Sequence, residues 1–166
     1  MPIIFKAIKP SQFKIGDFVS ELKEASRDVE KGMLKDYQAG VSSWNDKPTF
    51  TSKTTINPNG GISIEVTTED EIYTYVHEGT RAHDIRPRQA KKLRFQNTYT
   101  AKTIPGVIQA RGGGPSGDVV YSSGVRHPGF PGRFFSKPIK AKWGPFLIRQ
   151  INRAIAKAAK KTGHSI

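Results

Sequence analysis

The apolar residues of this chain change their period twice, and that alternation limits the possible folds more tightly than any composition figure. Ile15, Phe18, Leu22, Ala25, Val29, Met33 and Tyr37 recur at intervals of three and four, the stripe of an amphipathic helix. Asp17, Glu21 and Glu24 crowd its first turns, where the helix dipole favours anions, and Gly40 supplies a stop. From Pro48 to Thr68 the residues become Thr-rich and β-branched. They are split by Asn57-Pro58-Asn59-Gly60-Gly61, in which Asn-Gly offers the positive φ that a tight hairpin needs. Ile62, Ile64 and Val66 alternate with Ser63, Glu65 and Thr67, so this strand presents one apolar and one polar face. Helical spacing returns with Phe135, Ile139, Trp143, Leu147, Ile151, Ile155 and Ala158, and Gly144-Pro145 predicts a short helix followed by a longer one. The expected fold class is α+β. An N-terminal helix and C-terminal helices pack on one face of a mainly antiparallel sheet, with a long loop projecting from it.

The middle of the chain is less regular. Ile72 to His77 reads as a third strand because Tyr73, Tyr75 and the β-branched Ile72, Thr74 and Val76 suit a pleated surface. Asp70 and Glu71 ahead of it would instead cap a short helix, the competing reading. Leu93 to Phe95 and Val119 to Tyr121 read as short strands flanking a loop of about residues 96–118, which contains Pro105-Gly106 and Gly112-Gly113-Gly114-Pro115. Loops of that length are uncommon inside a compact domain and are usually functional or disordered. At 166 residues the sequence reads as one domain, 1–166, with enough chain to bury a sizeable core.

Composition narrows the chemistry. The absence of cysteine excludes disulfides, thiolate catalysis and cysteine-held zinc, and fits assembly in a reducing cytoplasm. No apolar run reaches the roughly 18 to 20 residues that span a bilayer, and the apolar stretch in MPIIFKAIKP is short for a signal peptide, so the chain is expected to be soluble and mature. The net charge of +13 is unevenly placed. Residues 1–80 hold 9 Lys/Arg against 12 Asp/Glu, residues 81–111 hold 8 against 1, and residues 119–166 hold 10 against none. Such asymmetry points to a polyanion partner, or to self-association in which the acidic part of one copy meets the basic part of the next.

The cations gather after a Gly turn. Between the anchors Val76 and Leu93/Phe95, the residues Arg81, Arg86, Arg88, Lys91, Lys92 and Arg94 face one nearby acid, Asp84, and Gly79 lets the backbone turn where a side chain would clash. Acid-base chemistry is the sharpest rival to a binding role, with His83, Glu78 and Arg86 as the natural trio of a nuclease or toxin-like domain. No His-Glu-x-x-His or comparable metal-ligand spacing is present, and the basic half has no paired acids for Mg²⁺. His77 reads as a strand-end residue, His83 as a loop residue bonded to backbone, and His127 as the start of a turn. The Gly-Gly-Gly-Pro-Ser-Gly run at 112–117 lacks the Gly-Lys-Ser/Thr ending of a phosphate loop and reads as a flexible loop tip. Phe95, Tyr99 and Tyr121 could stack on bases but do not form the dense interleaving of an RNA-recognition sheet, so nucleic-acid contact is expected to be diffuse and salt-dependent.

Several of these residues also form an ordered pattern. Glu78-Gly79-Thr80 is followed by His83, Ile85-Arg86-Pro87 and the basic Leu93/Phe95 pair, then His127-Pro128-Gly129, then Phe135, Pro138 and Ile139 ahead of a C-terminal helix. This resembles a family of small tail-component, neck and minor tail proteins of long-tailed bacteriophages, over Ile72 to Ala159. The chain departs from the pattern at Ala82, where proline often stands, and in the long Tyr99 to Asp118 insertion. The resemblance implies a structural virion protein of the head-tail neck or of tail completion, not an enzyme, without cofactor or metal. It implies a homo-oligomeric ring of about six subunits, or about twelve, that joins tail to head and lets DNA pass. Partners would be neighbouring copies and the adjoining head-closure and tail-tube or terminator proteins. The protein would lie in the host cytoplasm before assembly and in the virion afterwards. On this reading Arg81, Arg86, Arg88, Lys91 and Arg94 make ring-interface or DNA-channel contacts, Phe134 and Phe135 anchor the C-terminal helix to the sheet, and Trp143 is a core residue.

Overall fold

The computed structural model describes residues 15–57, 61–108, 110 and 112–163. The element order is α1 (Ile15–Gly40), β1 (Thr51–Ile56), β2 (Ile62–Thr67), α2 (Glu71–Glu78), β3 (Gly79–Thr80), β4 (His83–Ile85), β5 (Leu93–Thr100), β6 (Gly114–Ser122), β7 (Val125–His127), β8 (Phe130–Pro131) and α3 (Ser136–Lys161). The fold is α+β with antiparallel pairing, as the alternating periods predict. Among the described residues its strands form four two-stranded ladders, β1–β2, β3–β8, β4–β7 and β5–β6. The last three are nested, so the chain runs out from residue 79 and returns antiparallel to itself at residue 131.

Two compact units divide the chain. The first holds the described parts of Met1–Gly32, Lys53–Glu65 and Trp143–Ile166, and the second holds Met33–Ser52 and Val66–Lys142. In the first unit Leu22, Ser26 and Val29 of α1 are buried, as are Ala154, Ala158 and Ala159 of α3. The Trp143 ring lies so close over Gly32 that a Cβ there would overlap it, so Trp143 packs on α1 while remaining half-buried. Glu30 accepts a hydrogen bond from Thr54 at 2.6 Å, tying α1 to the hairpin strand. The Asn59-Gly60 turn of that hairpin lies outside the described residues, while Asn57 N–H donates to the Gly61 carbonyl at 2.8 Å at its base.

The second unit is organised around Val41, Phe50, Tyr73 and Phe135, against which Leu34, Tyr37, Trp44, Val66 and Val76 pack. Tyr73 stands at its centre, edge-on to Phe50 at 5.0 Å between ring centroids and stacked on Phe135 at 5.6 Å. Burial, with a smaller contribution from Tyr37, pushes its phenol well above the ordinary range. Its hydroxyl is buried with no hydrogen-bond partner among the described residues.

Four local expectations change. Residues 72–77 form helix rather than strand, because the Asp70 carboxylate accepts the Tyr73 N–H at 2.6 Å and Gly79 N–H closes the other end on the Tyr75 carbonyl. Capping outweighs the β-propensity of the side chains between. The C-terminal helix is single and continuous through Pro145, where two helices were expected. Proline removes one intrahelical hydrogen bond, and apolar anchors on both sides, Ile139 before it and Ala154 and Ala158 after it, hold the turns together. The loop expected over 96–118 is shortened at both ends, since β5 and β6 extend into it and Gly114 to Ser116 pair with Thr98 to Thr100. What remains is partly held down: Thr103 is buried and Lys102 Nζ donates to Asn45 Oδ1 at 3.3 Å. Finally, Phe135 anchors α3 as expected, whereas Phe134 is exposed, with φ 50° and the Lys137 ammonium 4.3 Å above its ring.

Candidate interaction surface

The two halves of the ordered motif meet. Gly79 pairs with Pro131 and Thr80 with Phe130 in the β3–β8 ladder, and His83 pairs with His127 in β4–β7. The backbones approach so closely that a Cβ on Gly79, whose φ is 89°, would come within 2.5 Å of the Gly132 nitrogen. Gly129, with φ 80°, is similarly pressed against the Thr80 carbonyl. Just beyond, the N–H groups of Arg133 and Phe134 donate to the carbonyls of Val76 and His77, each at 3.0 Å, and so satisfy the open end of α2. The motif glycines therefore build a joint between α2 and the start of α3.

The histidines belong to that joint. His77 lies half-buried in α2, not at a strand end, with its ring stacked on Tyr73 and Phe135. Burial pulls its imidazole below the ordinary value, against a smaller opposing effect of Glu78. His83 Nδ1 donates to the Arg81 carbonyl at 2.8 Å, and its ring stacks on that of His127 at 5.1 Å. His127 Nδ1 accepts the Gly129 N–H at 3.0 Å. The contacts of His83 thus go to Arg81 and His127, and the trio of His83 with Glu78 and Arg86 is not brought together. No cluster of three or more metal-ligating side chains occurs among the described residues.

The five cations singled out from sequence lie along the outgoing limb of the nested ladders or between them. Arg81 precedes β4, Arg86, Arg88 and Lys91 lie between β4 and β5, and Arg94 is in β5. All five are exposed, and among the described residues none forms an ion pair; Asp84 is engaged instead by Arg126 at 3.5 Å. The β5–β6 ladder that follows is uncovered. Tyr99 is 67% exposed and Tyr121 60%, with Phe95 and Val119 also open. Beside its far end, where Tyr99 pairs with Pro115, a cleft of about 590 Å³ is walled by Trp44, Ile72, Tyr99 and Phe130, with Lys102, His127 and Arg133 as its basic groups.

The acidic half is spent differently from the sequence expectation. Asp17, Glu21, Glu24 and Asp28 follow a spacing of four, three and four along α1, and Glu21 at their centre is buried between two lysines of α3. Lys161 Nζ reaches it at 2.5 Å and Lys157 at 3.7 Å, and the Lys161 hydrogen bond holds the Glu21 carboxyl below the ordinary range despite its burial. Asp36 is engaged by Lys142 at 2.7 Å. The carboxylates left exposed in the second unit, and outside any ion pair among the described residues, include Glu69, Glu71 and Glu78 around α2. Sequence reasoning missed that α2 surface because it took the segment for a strand, although the Asp70 cap was the available signal.

No protein-family model, curated protein or solved structure matches the chain. Among the described residues no helix is long and apolar enough to cross a membrane.

Proposed function

We propose that this chain is a structural protein that assembles with copies of itself into a ring, acting as a neck or tail-completion component of a long-tailed phage. The observation that carries self-assembly is the β5–β6 ladder. It has two strands, exposes Phe95, Tyr99, Val119 and Tyr121, and is bordered by cations that form no ion pair among the described residues. An isolated two-stranded ladder is marginal in water, and apolar residues gathered on one mark an interaction site. A neighbouring subunit covers apolar and charged groups together, which a phosphate backbone does not. The phage assignment rests on the ordered motif, and its convergence at one joint supports reading those residues as a single structural unit.

Light scattering coupled to gel filtration tests the assembly. A discrete oligomer that persists on dilution is expected, and a monomer at every concentration would overturn the reading. The enzymatic alternative makes the opposite demand, namely turnover of RNA or DNA that is lost in His83→Ala.

A further inference from the structure

The exposed side of α2 and one face of the β5–β6 ladder are complementary. Tyr73 is buried and Val76 and His77 half-buried, so the other side of this helix carries Glu71, Ile72, Tyr75 and Glu78. Positions one, four and seven residues beyond Glu71 fall on a common helical face. Ile72 is 59% exposed and Tyr75 54%, so the surface is an apolar pair with a carboxylate at either end. On the ladder, Arg94 stands opposite Tyr121 and Gln96 opposite Val119, and directly opposed residues of an antiparallel pair project to the same face. That face is an apolar pair beside a guanidinium which forms no ion pair among the described residues.

We propose that the Arg94–Tyr121–Val119 face of one copy docks on the Glu71–Ile72–Tyr75–Glu78 face of α2 in the next copy. The proposal rests on the ring reading above and names its contact. Charge selects the occupant. A nucleic acid could satisfy Arg94 but would be repelled by Glu71 and Glu78, and would leave Ile72 and Tyr75 open. A second copy supplies a guanidinium for the carboxylates and an aromatic and a β-branched side chain for the apolar pair. Two different patches meet, so the contact is heterologous, the type that closes into a ring when the rotation between subunits allows.

Charge exchange tests it. Arg94→Glu alone and Glu71→Lys with Glu78→Lys are each expected to weaken assembly by about tenfold or more in dissociation constant, read by sedimentation or light scattering. Combining all three substitutions restores assembly. These side chains are exposed, so unchanged circular dichroism and melting temperature separate lost docking from lost folding. If wild-type protein assembles and every variant assembles equally well, the contact is wrong while the ring stands. If wild-type protein never assembles, both fall. Retention of duplex DNA that is sensitive to salt and lost in Arg94→Glu, with the oligomer mass unchanged, would make the ladder a nucleic-acid surface and overturn the docking.

Discussion

At the level of single residues, the chemistry is governed by what burial leaves unpaired. Tyr73 gives the second core its ring contacts, yet its hydroxyl is buried without a partner among the described residues. An unsatisfied buried hydroxyl costs free energy that its removal recovers, so Tyr73→Phe is expected to raise stability by up to about 1 kcal/mol in urea unfolding. His77 is the pH-sensitive counterpart. Its folded value lies below the ordinary imidazole value of 6.5, so the fold favours the neutral ring and the unfolded chain binds the proton first. Its contribution is complete above that ordinary value and is lost as pH falls toward the lowered one. The melting temperature of the wild type should drop more steeply between about pH 7 and about pH 5 than that of His77→Phe. Equal slopes would place the acid sensitivity elsewhere.

At the level of elements, the ends decided more than the middles. Residues 72–77 have the composition of a strand, and the helix exists because Asp70 supplies a side-chain acceptor to the Tyr73 N–H and Gly79 can take a positive φ. Asp70→Ala should therefore cost about 1 kcal/mol, with loss of helical signal, since the first turn loses its cap. The long helices α1 and α3 were legible in their apolar spacing, because an amphipathic stripe over many turns is a redundant signal. Pro145 was misleading for the same reason: one missing hydrogen bond is outweighed by the anchors on both sides. The β5–β6 ladder extended beyond its apolar residues into Thr98 to Thr100, whose β-branched and aromatic side chains suit a strand, and into Gly114 to Ser116, which no local pattern marks as one. Pairing there is propagated from the neighbouring residues, across a register shift between Gln96 and Thr98.

For the molecule as a whole, charge was visible in the sequence but its use was not. The acidic and basic halves suggested free complementary surfaces, whereas Glu21 and Asp36 are engaged within their own compact units by Lys157, Lys161 and Lys142. Among the described residues, the exposed cations of residues 81–94 stay outside such pairs. On the proposed ring reading, reversing Arg86 and Arg88 to Glu is expected to abolish assembly or tail joining while leaving the unfolding free energy within about 0.5 kcal/mol of the wild type, as for exposed residues generally. Normal assembly by that variant would remove these two residues from the interface. The sequence by itself determined the α+β class, the two long helices, the cysteine-free chemistry and the Gly turn at residue 79, because each depends on local periodicity or on one residue's backbone freedom. Only the tertiary structure decided which carboxylates remain available, that the Gly79 and Gly129 segments share a joint, and that one side of α2 and the β5–β6 ladder stay exposed. Those outcomes depend on pairing between residues distant in the chain, which spacing along a single sequence does not encode.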